Sequence, residues 1–348
     1  MTLDSTAAPT PAAADSDQLT RFLIDGAGVR GVLVHLDDTW RQISSRAAGS
    51  GQHPSPPAAA LELLGEAAAA AALFTGHAKV DGRLSIQLRG DGALRTLFAE
   101  CTAAGTLRGI VQIAEEAPGS REGDVAETVP STDEAARDPR SVDIARDLQS
   151  GHVSRDLRSL GPEAVLAITI ENPAVGGREP MRYQSLVALT SDSLAGAFED
   201  YFRQSEQLPT RLLLAVDGAR AAGLMLQKLP GDEGDDDGWQ RAGTLFDTLR
   251  PHELLDLPGN AVLTRLFHED GVQMLGSRAL RFGCSCSRER VEAMLVSLGA
   301  HEARAAVADG HAQVRCEFCG QDYRFTGEQI EHLLAAAAHE VAAPHRLQ

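Results

Sequence analysis

The chain has 348 residues, 43% of them hydrophobic, enough apolar side chain to bury a substantial core in more than one domain, which excludes a wholly disordered protein. Its formal net charge of −17 argues against nucleic acid as the main partner, because a phosphate-binding surface needs clustered Lys and Arg. The same charge favours solubility and electrostatic avoidance of other acidic surfaces.

In chain order, residues 1–16 are rich in Ala, Pro, Ser, Thr and Asp and read as a disordered leader, without the basic start and apolar run of a signal peptide. Asp17 starts a predicted helix with Leu19, Phe22 and Leu23 on one side; Gly28-Val29-Arg30-Gly31 and a strand over 32–36 follow. A second helix carries Trp40 and Ile43, residues 53–57 are a loop, and a long helix over 58–75 carries Leu61, Leu64 and alanines that allow close packing. No window approaches the ~18 to 20 consecutive apolar residues of a bilayer span, and the Ala-rich run near residue 67 reads as helix only, so no membrane partner is expected. The period then changes to two. Leu84, Ile86 and Leu88 alternate with Ser85 and Gln87 after the Asp81-Gly82 turn, and strands near 96–101 and 107–114 continue an antiparallel sheet. Cys101, in this stretch, reads as an ordinary buried thiol.

From residue 115 to about 159 the apolar periodicity fades, and the segment reads as a largely disordered acidic insertion. Strands resume over 164–170 and 183–189, a helix places Leu194, Phe198, Tyr201 and Phe202 on one side, and strands over 212–216 and 222–228 close a core domain of 17–230. The acidic tract over 230–238 reads as a domain boundary; it lacks the alternating ligands and closing Glu of a calcium loop. Beyond it, Trp239, Leu245, Phe246 and Leu249 suggest an amphipathic helix interrupted at Pro251, with short helices through Leu254, Leu255, Leu263, Leu266 and Phe267. Residues 231–280 are thus a metastable helical linker, apolar enough to dock but too broken to fold alone.

Cys284-Ser-Cys286 and Cys316-Glu-Phe-Cys319 follow, and two short-spaced thiol pairs are the donor set of a tetrahedral zinc ion, one per chain in the reduced form. Ser287 caps a helix with Val291, Met294, Leu295 and Leu298, Gly299 ends it, a short strand over 312–315 delivers Cys316, and Thr326 and Gln329 have capping-box spacing. A zinc-binding redox-switch domain over 281–335 and a tail over 336–348 complete the chain. The expected fold is therefore an α+β core with an antiparallel sheet and packed helices, a helical linker and a small C-terminal zinc domain. Each cysteine has a near partner, so oxidation could form two local disulfides, and a C-x-C ring would be strained and reducible. Five cysteines, four in metal spacing, suit a reducing cytoplasm. His252, His268 and His301 are surface or packing residues rather than ligands.

Several stretches resemble the redox-regulated heat-shock chaperone family of thirty-three kilodaltons. They are Asp17-Gln18-Leu19-Thr20-Arg21-Phe22, Val29-Arg30-Gly31, Asp200-Tyr201-Phe202, Ser205-Glu206-Gln207-Leu208-Pro209-Thr210-Arg211, Glu253-Leu254-Leu255 and the two cysteine motifs with Ser287-Arg288-Glu289-Arg290 and Gly320. The likeness runs from residue 17 to about 335; the leader and the acidic insertion depart from the usual pattern. The resemblance implies an oxidation-activated holdase that is not an enzyme. Reduced, its cysteines hold zinc and the chaperone is inactive; oxidised, Cys284 pairs with Cys286 and Cys316 with Cys319, zinc leaves, the linker loosens and unfolding clients are bound. Trp239, Phe246, Leu249, Leu255 and Phe267 are candidate client-binding residues, and exposed patches favour an oxidised homodimer. The alternatives are a constitutive zinc-stabilised protein-binding module and a thiol oxidoreductase. The second would need its C-x-x-C at a strand-to-helix junction, which this sequence does not offer. A zinc-containing nucleic-acid regulator is opposed by the charge, and a hydrolase by the lack of nucleophile-elbow or phosphate-loop spacing.

Overall fold

A computed structural model describes residues 16–49, 55–78, 80–114, 153, 155–174, 179–231 and 234–342. The expected leader up to residue 15, most of the insertion and the end of the tail lie outside the described residues. The chain divides between Phe282 and Gly283 into a larger and a smaller unit.

The larger unit is α+β. Its first sheet comprises β1 (Gln18–Ile24), β2 (Val29–Leu36), β8 (Thr210–Val216), β9 (Ala221–Lys228) and β10 (Val272–Ala279), in the order β10-β1-β2-β9-β8, all antiparallel. The second comprises β3 (Arg83–Arg89), β4 (Leu94–Thr102), β5 (Thr106–Ile113), β6 (Val165–Asn172), β7 (Met181–Val187) and β11 (Arg281–Phe282), ordered β11-β5-β4-β3-β6-β7, with only β11 parallel to its neighbour. Helix α1 (Asp38–Ala47) buries Trp40 and Ile43, and α2 (Ala58–His77) packs against strands of both sheets. Alanine makes this possible: Ala67 to Ala72 are all at most 1% exposed, and a Cβ on Gly65 would lie 2.8 Å from Val216. By length and composition α2 does reach the membrane-span threshold, contrary to the expectation from runs of apolar residues; 78% of that window is buried inside the protein.

The predicted helix at 17–23 is strand β1. Leu19 packs into the cluster around α2, whereas Phe22 and Ile24 face the opposite cluster, so the spacing that mimics one helix face comes from a strand buried on both sides. Gly31 of the Val29-Arg30-Gly31 motif lies beneath Phe22, where a Cβ would stand 2.0 Å from the ring. The insertion ends earlier than its composition suggests. Leu157–Ser159 form a single 3₁₀ turn, Val153, Leu157 and Leu160 are buried, and Arg155 pairs with Glu62 and the buried Glu66 of α2. Helix α3 (Leu194–Tyr201) continues as one π turn, Phe202–Glu206, which Gln207 ends in the left-handed conformation before β8.

Residues 231–280 are not helical throughout. They form α4 (Gly238–Phe246), α5 (Pro251–Asp256) and α6 (Gly259–Phe267), and then β10, because β1 offers a sheet edge that completes their backbone hydrogen bonds. The helices cover the outer face of the first sheet. Phe246, Leu249, Leu254, Leu263 and Phe267 are at most 5% exposed there, among Phe22, Ile24, Val29, Leu33, Leu224 and Leu226, with Trp239 and Leu255 packed alongside. The proposed client-binding residues are thus covered in this conformation. Polar clasps add to the docking: His35 Nε2 lies 2.8 Å from the Leu254 carbonyl, and Arg220 donates to the Leu255 carbonyl and to Asp256. The acidic tract is also tied down, since Asp235, Asp237 and the buried Asp270 all engage Arg241 of α4.

The smaller unit holds α7 (Arg288–Ser297), α8 (Ala300–Ala305), a sheet of β12 (Val307–Ala308), β13 (His311–Arg315) and β14 (Asp322–Thr326), and α9 (Gly327–Ala342). Among the described residues its buried core is small: Val291, Leu295, Ala303, Ala312, Phe325 and Ile330, with Val307, Val314, Tyr323, Leu333 and Leu334 packed alongside.

Candidate metal centre

Two turns carry the thiols. Cys284 and Cys286 precede Ser287, whose hydroxyl accepts from the Arg290 amide and caps α7, while Arg290 Nη1 donates to the Ser285 carbonyl at 2.6 Å and holds the turn. Cys316 and Cys319 lie between β13 and β14, in a turn closed by Cys316 N–H to the Gln321 carbonyl (2.9 Å) and Gly320 N–H to the Cys316 carbonyl (2.8 Å). Gly320 there has φ +74°, a conformation open to glycine at little cost. Beyond β14, Thr326 and Gln329 exchange amide-to-side-chain hydrogen bonds at 2.9 and 3.3 Å, the reciprocal cap expected ahead of α9.

The turns bring all four sulfurs within 4.8 Å of one another, each half-buried. The shortest approaches cross between the motifs, Cys284 to Cys316 at 3.6 Å and Cys286 to Cys319 at 3.3 Å. A tetrahedron of ~2.3 Å metal–sulfur arms needs sulfurs about 3.8 Å apart, so the donor set fits a zinc-like ion. Four close cysteines able to hold a metal ion are therefore a feature of the chain.

The thiols are not equivalent. Burial works against ionising Cys286, but hydrogen bonds from Tyr323 and the other three cysteines outweigh it and bring this thiol down to about 7; it also lies directly before the N-terminus of α7. Burial, with the neighbouring sulfurs, pushes Cys316 and Cys319 up. Ionisation is thus easier at Cys286 than at Cys316 or Cys319. The Tyr323 hydroxyl donates to Cys286 Sγ at 3.1 Å, and that hydrogen bond pushes the phenol up to about 12. Tyr323 was not singled out from sequence; its signal is the alternation of Tyr323 with the buried Phe325 along β14, which points both side chains inward.

Cys101 stands apart in the large core, pushed up to about 12 by burial and so poorly nucleophilic. His252, His268 and His301 are absent from the described metal cluster.

Comparison with known proteins places these features together. The family model described as Hsp33 protein matches residues 17–326. The 33 kDa chaperonin of Pseudomonas paraeruginosa is 37% identical over 332 residues, covering 93% of this chain and 97% of its own. That of Azotobacter vinelandii is 37% identical over 330 residues, covering 92% and 95%. Among solved structures, the 33 kDa chaperonin of Thermotoga maritima superposes with a TM-score of 0.64 at 21% identity, covering 93% of this chain and 99% of its own, a likeness of fold.

Proposed function

This chain belongs to the Hsp33 family of chaperones, and from that premise we propose that it is a redox-regulated holdase of the reducing cytoplasm that binds unfolding proteins under combined oxidative and heat stress. The observation that carries the reading is the four-sulfur cluster within a unit whose own buried core is too small to stand without it. Cys284, Cys286, Cys316 and Cys319 would hold one zinc ion in the reduced protein. Bound there, zinc supplies cross-linking of the two turns and charge neutralisation for the thiolates.

Activation follows from what the sulfurs do next. Two thiolates give two electrons to an oxidant such as hydrogen peroxide, an S–S bond forms, and the peroxide leaves as two waters after taking up two protons. Pairing Cys284 with Cys286 and Cys316 with Cys319 takes two such equivalents, and a sulfur in a disulfide no longer has the charge by which it ligates. The turns then lose their cross-link and the small unit its fold. Cys284 follows Phe282, the last residue of β11, by two positions, so the chain that anchors the linker's C-terminal end loses its fixed continuation. Under unfolding stress α4 to α6 leave the sheet, uncovering Trp239, Phe246, Leu249, Leu255 and Phe267 together with the sheet face beneath. That apolar surface holds clients and favours a homodimer of the oxidised form.

The test follows light scattering from a heat-unfolding client beside the reduced, zinc-loaded protein and beside protein oxidised at elevated temperature, recording zinc release in parallel. Suppression only after release is expected. Equal suppression by both forms would instead mean a constitutive zinc-stabilised holdase.

A further inference from the structure

Strand β10 continues the linker beyond the helices whose release is proposed above, and it forms an edge of the first sheet. It pairs with β1 from Gln18↔Ala279 to Ile24↔Val272, with Leu275 bulged out between the Arg21↔Gly276 and Phe22↔Met274 pairs. Its own side chains contribute little to holding it: from Gln273 to Ser277 every residue is exposed, including Met274 at 54% and Leu275 at 51%. The bulge and the solvated side chains leave backbone pairing as its main tie. β1, by contrast, is fixed by β2 on its other side and by burial of Leu19, Phe22 and Ile24.

Resting on the linker-release reading, we infer that the β1 edge vacated by β10 is a docking site for an extended segment of an unfolded client, which adds to the sheet as a strand. β10 is the internal template for that occupant. It shows that the site accepts a strand through the main chain while leaving most of its side chains free, so a client needs an extended backbone rather than a particular sequence. An open edge with unpaired N–H and C=O groups recruits such a chain, and departure of α4 to α6 bares Phe22 and Ile24 beside it, offering apolar contacts to alternate client side chains. The masking of this edge by β10 in the resting protein accounts for its silence before activation.

Hydrogen exchange read by mass spectrometry on the full-length protein tests the assignment, with reduced and carboxymethylated α-lactalbumin as a permanently unfolded client. Oxidation should abolish the protection of 272–279 and of the β1 amides in 18–24 that face it. Adding client should restore protection to 18–24 and leave 272–279 exchanging. Client held while 18–24 stays unprotected overturns the edge assignment and leaves linker release standing. Client held while 272–279 keeps its protection also overturns the edge assignment alone, and client held while 238–267 keeps its protection as well overturns both. Protection returning to both strands without client, more so at higher protein concentration, would show a second copy's β10 in the edge and also overturn the assignment. A synthetic peptide of residues 272–279 should lower client retention by the oxidised protein several-fold, and N-methylation of one of its two alternating sets of amides should abolish that competition.

Discussion

Because the Tyr323 hydroxyl donates to Cys286 Sγ, it orients one of the four proposed ligands from outside that set. Removing such a partner typically weakens metal affinity by roughly 10- to 100-fold. Tyr323→Phe should weaken zinc binding by that order in competition with a chromophoric chelator, with unchanged circular dichroism when zinc is saturating; unchanged affinity would show that the hydroxyl is only packed there. A second residue reports on the core. Burial, reinforced by Arg30 whose Nη2 lies 3.1 Å from Nε2, pulls His77 from its ordinary 6.5 down to about 4, so the folded protein keeps this ring neutral. As pH falls below 6.5 the unfolded chain takes up the proton first, and stability contributed by the neutral ring is full above that point and lost as pH falls to about 4. The loss amounts to about 3 kcal/mol over that window. Urea midpoints at pH 7.5 and 5 should therefore differ more in the native protein than in His77→Gln; equal differences would refute the assignment. At this scale the clustering of the four cysteines was legible because two short-spaced pairs can each be presented by one tight turn. Tyr323 was not, because a hydrogen bond to sulfur leaves no spacing rule, only an alternation along a short strand.

Arg241 gathers three carboxylates, Asp235 and Asp237 of the acidic tract and Asp270 ahead of β10, and so joins both ends of the helical segment. Asp270 is itself buried, and its Oδ2 has no hydrogen-bond partner. Arg241→Ala would leave that carboxylate uncompensated, which is costly in an apolar setting. The variant should release α4 to α6 at a lower temperature than the native protein, read by limited proteolysis within 238–267, and should hold client at milder stress. An unchanged cleavage temperature would assign the cluster to the solvated surface. The elements themselves were legible to different degrees. Trp40 and Ile43 are three apart on one face of α1, whose N-terminal amides donate to the Asp17 carboxylate, and α2 was legible from its length and its alanine content. β1 escaped because Leu19 and Phe22, three apart, face opposite layers, a fact that only the packing of α2 on one side and α4 to α6 on the other creates. β10 escaped for the complementary reason: with exposed side chains it has no period at all, and its strand state is imposed by the edge of β1.

At the scale of the whole molecule the two units differ in what keeps them folded. The larger has a continuous core from Leu19 to Leu280 around α2 and a second cluster on the outer face of its first sheet. The smaller relies on a few apolar side chains, one Arg288 stacked over Phe325 at 4.2 Å, and the sulfur cluster. Structural zinc supplies an apparent ~10 to 16 kcal/mol in small metal domains, which matches or exceeds the ~5 to 15 kcal/mol stability of a typical domain. Chelation under reducing conditions should therefore unfold 283–342 while the thermal transition of the larger unit stays where it was. Proteolysis is the direct readout, with cleavage confined to the smaller unit at low temperature and spreading into 238–267 only on heating. That order of events would explain why the proposed switch needs two stresses: losing the ligand set removes one fold outright, whereas the linker still has a buried apolar face and must be driven off by heat. Cleavage within 238–267 at low temperature on chelation alone would mean that the linker has no independent hold on the sheet, and that oxidation without unfolding stress is sufficient.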